Sequence, residues 1–289
     1  MKLGVLLVAA LVLAVLNRPM RRVWKLVVVL ANLAPGPLTP LINRLSPRVT
    51  GETGQIATGK GEQYPLKIYH PPSSRASPAV ILYPGATSAG EEHEVVNRVG
   101  RSLARIGLRT FLPGLPRLKE AKVEERTVEE MVDVFESVTG RGDVDPDRVV
   151  VAGMSFGGSL LVKASMDDRM RGKPAAVLSY GSYFDLERAL EFALSGDFTD
   201  DTHHYHFQPD AWGRIVFFHN FLDEVDGDFD RDNVRSYFGT YVEQGEAEAV
   251  SVYDGFPERD RNFIDGIMRG SGGEGLTVAR QVLPGIKNT

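Results

Sequence analysis

The sequence predicts an α/β protein whose mostly parallel sheet is covered by helices on both faces. Short apolar runs alternate with amphipathic segments from Pro78 to Tyr180. Pro-Gly pairs follow two of these runs, where a strand would meet a loop. A serine between glycines follows a third run, just before a segment with helical periodicity. Strands and helices that alternate through short loops are typical of parallel sheets.

The individual elements follow from the apolar spacing. Residues 55–69 predict a hairpin that leads into the sheet, with its turn at Gly59–Gly61. Val95, Val99 and Leu103 show the helical spacing of the first crossover segment. A turn at Asp145-Pro146-Asp147 precedes the third parallel strand. We expect parallel strands at 79–83, 108–112, 149–152 and 175–180, and helices at 94–106, 123–138 and 156–166.

Length and composition limit the classes of function. The chain has 289 residues, 43% of them hydrophobic, which suffices for one large core or for one domain with an inserted cap. The formal net charge is -5, so nucleic acid is not an expected partner. The chain has no cysteine, which excludes disulfides, thiolate nucleophiles and cysteine metal ligands.

The first 34 residues form a basic, apolar segment. Residues 3–16 are an unbroken apolar run apart from Gly4, and a second run covers 23–33. As a helix, the first run would span roughly 21 Å, less than the roughly 30 Å hydrocarbon core of a bilayer. Seven basic residues and no acidic residue lie between Met1 and Gly51. We expect a membrane anchor, either one tilted helix or a shallow hairpin with its arginines at headgroup level.

Two alternatives to the anchor stay open. A cleaved signal peptide would use Lys2 as its positive region, but no small-x-small site follows Leu16 directly. The segment could also be a helix packed on the rest of the protein. If residues 3–16 insert alone, the positive flank after residue 16 would leave the domain that follows on the cytoplasmic side. Prolines at 35, 37 and 40 predict a linker, so we expect an anchor at 1–34, a core at 35–184 and a cap with a tail at 185–289.

Ser155 is the candidate nucleophile. It lies in Gly153-Met154-Ser155-Phe156-Gly157, between the predicted strand 149–152 and a predicted helix. A serine hydroxyl reacts only when it is exposed, oriented and paired with a base. Glycines two positions before and after Ser155 permit a tight reversal that exposes the serine at a helix N-terminus, where negative charge is favoured. The alternative is a glycine-rich turn whose serine only caps the helix.

A nucleophilic serine also needs N–H donors that hold the charged tetrahedral oxygen. The backbone N–H of Phe156, directly after the serine, is one candidate. The second is expected from the loop after an earlier strand. Tyr83-Pro84-Gly85-Ala86-Thr87 occupies that place, and the N–H of Ala86 is its candidate donor. An ordinary strand-to-helix turn is the alternative interpretation of this loop.

Residues 78–184 resemble the α/β-hydrolase superfamily, in particular its dienelactone-hydrolase and esterase-like branches. The motifs that carry the resemblance are Tyr83-Pro84-Gly85-Ala86, Phe111-Leu112-Pro113-Gly114, Asp145-Pro146-Asp147-Arg148-Val149 and the serine motif itself. Pro84 stands where many members have histidine. The resemblance implies hydrolysis through a serine nucleophile, without a metal or another cofactor, and a triad in the order Ser, acid, His.

The acid and the base of that triad have no clear candidates. The histidines are at 70, 93, 203, 204, 206 and 219, and none lies among the last seventy residues. Residues 185–194 and 234–242 predict helices, as in the helical cap of many α/β-hydrolases. Residues 214–224 fit either a late strand, with Asp223 as the triad acid, or a cap helix, and we favour the helix. We expect the chain to stop before the strands that would carry acid and base.

Two functions are compatible with these features of the sequence. The first is a membrane-associated hydrolase that cleaves a carboxylic ester, or a similar acyl bond, of a small or lipid-like substrate. The second is a hydrolase-like scaffold or binding module that lacks acid and base. His203-His204-Tyr205-His206 lies near acidic residues that could bind a metal, but we favour a solvated polar loop.

Overall fold

A six-stranded sheet forms the centre of the computed structural model, which describes residues 18–73, 75–200 and 202–269. Its strands are β1 (Thr50–Ala57), β2 (Gln63–His70), β3 (Ser77–Tyr83), β4 (Arg109–Pro113), β5 (Val144–Met154) and β6 (Ala176–Tyr180). Their order in the sheet is β1-β2-β4-β3-β5-β6. β1 pairs antiparallel with β2, and β2 with β4, whereas the remaining pairs are parallel. The expected mostly parallel sheet is therefore confirmed.

Helices cover both faces of this sheet. Along β3, alternate side chains enter two different cores, because successive residues of a strand point to opposite faces. Ile81 packs in the core beneath the helices at 125–139 and 156–164, and Leu82 packs in the core beneath the helix at 94–105. A strand buried on both faces appears in the sequence as a continuous apolar run. The helices up to this point in the chain are α1 (Arg18–Leu33), α2 (Thr39–Leu45), α3 (Glu94–Arg105), α4 (Pro116–Lys119), α5 (Glu125–Thr139) and α6 (Phe156–Ala164).

The expected turn at residues 145–147 is wrong in detail, because this segment lies within β5. The pairing of β3 with β5 changes register there: Ser77 faces Val144, but Ala79 faces Val149. The extra residues of β5 form a bulge, which accommodates Pro146 without removing a ladder hydrogen bond. β6 forms one edge of the described sheet. Its side chains are largely open to solvent, with 56% of the Leu178 surface and 79% of the Tyr180 surface exposed.

The predicted helical cap is present after β6. Residues 214–224 belong to a helix and the turn that follows it, as favoured from the sequence. The side chain of Asp210 accepts a hydrogen bond from the N–H of Trp212 at 2.7 Å and caps that helix. The cap elements are α7 (Leu186–Ser195), β7 (Asp197–Thr199), β8 (His204–His206), α8 (Ala211–Phe221), α9 (Arg231–Gln244), α10 (Glu246–Tyr253) and α11 (Glu258–Arg269).

The polar loop expected at residues 203–206 is instead part of a small hairpin. β7 and β8 pair antiparallel, with Phe198 opposite Tyr205. The rings of these two residues stack with their centroids 4.8 Å apart. Cross-strand aromatic stacking stabilises a hairpin whose other side chains are polar. The sequence interpretation missed this hairpin because polar residues dominate the segment.

The N-terminal helices pack beside the sheet. α1 lies against α3, where the Arg98 guanidinium donates a hydrogen bond to the Asn32 carbonyl at 2.8 Å. The predicted linker is partly wrong, because residues 39–45 form α2. Pro40 lies in the first turn of α2, where the missing N–H of proline has no intrahelical partner to lose. The apolar run 3–16 lies outside the described residues. No helix within the described ranges combines the length and the apolar character needed to cross a bilayer.

Candidate active site

Ser155 lies in the tight turn between β5 and α6. Its backbone has φ 51 and ψ -130, a conformation that a non-glycine residue rarely adopts. The Ser155 N–H donates to the Tyr180 carbonyl at 2.9 Å, and the Ser155 carbonyl accepts from the Gly158 N–H at 2.9 Å. These contacts hold the serine side chain exposed at the carboxyl end of the sheet. The strand, turn and helix predicted around the motif are all present.

The glycines of the motif are required by close packing. A Cβ on Gly153 would lie 2.6 Å from the Gly157 carbonyl oxygen and 2.6 Å from the Gly158 Cα. A Cβ on Gly157 would lie less than 3.0 Å from the Pro84 carbonyl oxygen. Real Cβ atoms essentially never approach other atoms so closely. Gly157 therefore lets the loop after β3 pass directly over the start of α6.

This loop lies against the candidate nucleophile. A Cβ on Gly85 would be 3.1 Å from the Ser155 Cβ and 3.7 Å from the Ser155 hydroxyl oxygen. Among the described residues, neither the Ala86 N–H nor the Phe156 N–H has a hydrogen-bond partner. Two unpartnered donors, one from each side of the serine, are what the stabilisation of an oxyanion requires.

The cap holds this loop in position. The indole N–H of Trp212 in α8 donates to the Ala86 carbonyl at 3.0 Å. On the other side of the loop, the Thr87 N–H donates to the Leu118 carbonyl at 3.0 Å. The ring of Phe156 packs edge-on against Phe217 of α8, with the centroids 5.8 Å apart. The cap therefore holds the backbone of Ala86, the residue whose N–H would supply the second donor.

Asn220 makes a further connection between cap and core. Its side-chain oxygen accepts from the Val123 N–H at 3.0 Å, and its side-chain nitrogen donates to the Ala121 carbonyl at 2.7 Å. An asparagine at the end of a helix thus pairs two backbone groups of the core that would otherwise lack partners. The position of α8 above the candidate site is fixed by this contact and by Trp212.

Ser155 opens into a cavity of about 570 Å³ between the loop after β3 and the cap. Apolar and aromatic side chains dominate its walls, among them Val96, Trp212 and Tyr241. A histidine and a glutamate also line it, His93 at the start of α3 and Glu243 in α9. The sequence interpretation assigned no role to either. The sequence contains one indication for His93, which follows the proposed oxyanion loop by a few residues. Because loops after parallel strands meet at the carboxyl edge of the sheet, this position is compatible with a place near Ser155.

Among the residues that the structure describes, His93 is the one histidine that lines this cavity. Its Nδ1 is buried and has no hydrogen-bond partner among the described residues. Its backbone carbonyl accepts from the Asn97 N–H at 3.0 Å and from the Asn97 side chain at 2.9 Å, which fixes the start of α3. None of the hydrogen bonds formed by the described residues involves the Ser155 hydroxyl.

The remaining histidines make contacts elsewhere. His70 lies 2.6 Å from Arg109 in the sheet, and His206 lies 2.9 Å from Asp197 in the hairpin. His219 contacts the Glu120 carbonyl at 3.0 Å, and burial lowers the pKa of its imidazole below the ordinary value. Within the described ranges, no group of three or more His, Cys, Asp or Glu side chains is placed to hold a metal ion.

Asp223 lies on the surface of the cap. It belongs to the short turn after α8, and its side chain is 76% exposed. Its carboxylate pairs with the Arg235 guanidinium at 2.5 Å. The structure therefore brings Phe156, Ala86 and the two glycines to Ser155, and it leaves Asp223 outside the cavity that Ser155 lines.

Comparison with known proteins returned likenesses of structure only. No protein-family model and no curated protein matches the chain. A proposed dienelactone hydrolase from Klebsiella pneumoniae subsp. pneumoniae MGH 78578 is 17% identical, with a TM-score of 0.39, over 47% of this chain and 61% of that one. The esterase Est22 is 14% identical, with a TM-score of 0.41, over 61% of this chain and 57% of that one.

A post-proline cleaving enzyme from Rickettsia typhi is 14% identical, with a TM-score of 0.39, over 49% of this chain and 22% of that one. This chain spans less than two thirds of the length of each of these three proteins.

Proposed function

We propose that the protein is a membrane-associated serine hydrolase that cleaves a carboxylic ester, or a similar acyl bond, through an acyl-enzyme on Ser155. The observation that carries the proposal is the strained turn at Ser155, next to which the N–H groups of Phe156 and Ala86 have no hydrogen-bond partner among the described residues. Strain persists only where the surrounding structure enforces it, and it is concentrated at functional sites. A turn that merely capped a helix would need neither the strain nor the two free donors.

The reaction follows from this geometry. The Ser155 oxygen bonds to the acyl carbon, the bond to the leaving alcohol oxygen breaks, and the two N–H groups hold the negative oxygen of the tetrahedral intermediate. The serine proton passes to a base and then to the leaving alcohol. We assign the base to His93, directly or through a water molecule, since its imidazole lines the same cavity. Water then hydrolyses the acyl-enzyme and regenerates the serine.

The cavity supports an apolar acyl substrate. Its volume lies within the range of about 300–1,000 Å³ that is usual for small-molecule sites. Val96, Trp212 and Tyr241 provide apolar contacts, whereas Ser155 and His93 provide polar ones. The basic, apolar N-terminal segment supports membrane association, and with it a lipid-like ester as substrate.

Labelling with a fluorophosphonate probe tests the proposed nucleophile. The wild-type protein should be labelled, and Ser155→Ala should abolish the labelling. Ser88→Ala is the matched control, because Ser88 lines the same cavity and should leave labelling intact. Labelling that survives in Ser155→Ala would refute the assignment. His93→Gln should slow labelling roughly 10²-fold or more if the imidazole is the base.

A scaffold or binding module is the second candidate function. The observation that favours it is the Ser155 hydroxyl, which has no hydrogen bond to a histidine or to a carboxylate within the described residues. Without a base, an oxyanion hole and substrate binding give only residual catalysis. A folded protein that is neither labelled nor active on short-chain and long-chain esters would support this alternative.

A further inference from the structure

The outward face of α1 and α2 is apolar. The large apolar side chains exposed on these helices, and on the turn that joins them, are Met20, Val23, Trp24, Leu26, Val27, Leu30, Leu33, Leu38, Leu41 and Leu45. They make up more than half of the exposed large apolar side chains among the described residues. Single exposed apolar residues are ordinary, but a contiguous set marks an interaction surface. We refer to these ten residues as the outward face.

The side of α1 that contacts the domain is less apolar than the outward face. Val28 and Asn32 are its buried residues. The Asn32 side chain donates to the Val28 carbonyl at 2.8 Å and to Asn43 of α2 at 2.9 Å, and the Asn32 carbonyl accepts from Arg98. A helix that merely packs on a soluble domain turns its apolar side inward. The amphipathicity of α1 is reversed relative to that arrangement, so its apolar side is available to another partner.

Basic residues lie on the same two helices as the outward face. Arg18, Arg21, Arg22 and Lys25 lie in the first half of α1, and Arg44 lies in the last turn of α2. No acidic residue occurs between Met1 and Gly51. Basic residues beside an apolar helix face complement the negative surface of an anionic membrane. Trp24, which is 38% exposed, belongs to the residue type that prefers the membrane interface.

We propose that the outward face of α1 and α2 lies in the plane of an anionic lipid bilayer and inserts its apolar side chains at the headgroup level. Because one side of α1 packs on α3, only the opposite side can contact lipid. A second copy of the chain fits this face less well, because the arginines and the lysine would be repeated across the interface and would repel each other. The inference rests on the membrane association proposed above and is independent of the chemistry at Ser155.

Vesicle co-sedimentation of the full chain tests this proposal. The protein should partition onto phosphatidylcholine vesicles with 30% phosphatidylserine, and more weakly onto phosphatidylcholine alone. Val27→Glu should lower this partition roughly tenfold or more, because it places a charge where an apolar side chain enters the interface. Val250→Glu is the matched control, since Val250 is exposed on α10 and should not contact the bilayer. Arg44→Gln should lower partition onto the anionic vesicles about fivefold.

The fluorescence of Trp24 gives a second measurement, which does not depend on the effect of a charge substitution. Brominated lipids should quench wild-type emission in the vesicle-bound state, and Trp24→Phe should remove the quenched component. Equal partition of wild type, Val27→Glu and Arg44→Gln would overturn the proposed face while leaving membrane association through another part of the chain. Absence of partition in a protein that the Ser155 probe still labels would reject membrane association and preserve the hydrolase. A dimer that Val27→Glu dissociates, without vesicle binding, would assign the face to a second copy.

Discussion

Gly157→Ala is expected to displace the loop that carries the proposed oxyanion donor. In the structure, a Cβ at this position would lie less than 3.0 Å from the Pro84 carbonyl oxygen and 3.0 Å from the Pro84 carbonyl carbon. Ordinary van der Waals contact begins at 3.4 Å. The opposing atoms belong to the backbone, so no rotation of a side chain can relieve the contact. Either the loop from Pro84 to Ala86 or the start of α6 must therefore move.

The expected effect has two parts. Overpacking of this kind costs about 1–3 kcal/mol, and replacing a helical glycine by alanine returns about 1 kcal/mol. We therefore expect a net loss of up to about 2 kcal/mol in the free energy of unfolding. The effect on catalysis should be larger. Because Ala86 follows Pro84 by two residues, a shift of about 1 Å at the donor should lower the labelling rate of Ser155 roughly 10²-fold.

Two measurements on one variant check this reasoning. Urea unfolding reports the stability, and the rate of fluorophosphonate labelling reports the function of the site. Gly142→Ala is the matched control, because a Cβ at Gly142 would have no atom within 4 Å. It should leave the labelling rate unchanged, and the free energy of unfolding should stay the same or rise by up to about 1 kcal/mol. If Gly157→Ala unfolds and reacts as the wild type does, the close passage of the loop over α6 is wrong.

Three further predictions concern pH and the docking of the cap. Burial raises the pKa of Glu130 to about 7, so the folded protein keeps a proton that the unfolded chain has lost. The contribution of Glu130 to the free energy of unfolding is complete below pH 4.5 and is lost as the pH rises to about 7. Urea unfolding of the wild type at pH 5 and pH 8 should therefore differ by a loss on the order of 2 kcal/mol, which Glu130→Gln should remove. An unchanged dependence on pH in the variant would contradict the assignment. Asn220→Ala should destabilise the protein by about 1–3 kcal/mol in thermal melts, because it leaves the Ala121 carbonyl and the Val123 N–H without those bonds. Asn220→Asp should lose at least as much, because its second oxygen cannot donate and would face the Ala121 carbonyl oxygen. Trp212→Phe should slow Ser155 labelling and leave the melting temperature nearly unchanged, because it removes the bond to the Ala86 carbonyl but retains an aromatic ring. A lower melting temperature with an unchanged labelling rate would refute this role.

Local signals account for the elements that were predicted correctly. The strands at the centre of the sheet are buried on both faces, so they appear as continuous apolar runs that end at glycine or proline. The turn at Ser155 was predicted because its backbone conformation requires glycines at fixed positions on either side. Both kinds of information reside within a few neighbouring residues.

The misassigned segments lacked such signals. The hairpin at residues 197–206 carries three histidines and several acids, and it is stabilised by the stacking of Phe198 on Tyr205 rather than by an alternating apolar pattern. Pro40 suggested a linker, although proline is well accommodated in the first turn of a helix. His93 received no role because no local motif relates it to Ser155.

The sequence by itself determined the alternation of strands and helices, the turn that exposes Ser155 and the basic, apolar character of the N-terminus. These features depend on backbone preferences and on burial over short stretches of chain. Only the tertiary structure decided the strand order, the entry of His93 into the Ser155 cavity and the bond from Trp212 to Ala86, which joins residues 126 positions apart. The outward direction of the apolar side of α1 was likewise decided only by the tertiary structure. Contacts between distant residues follow from how all the elements pack together, and the local pattern around any one of them does not contain that information.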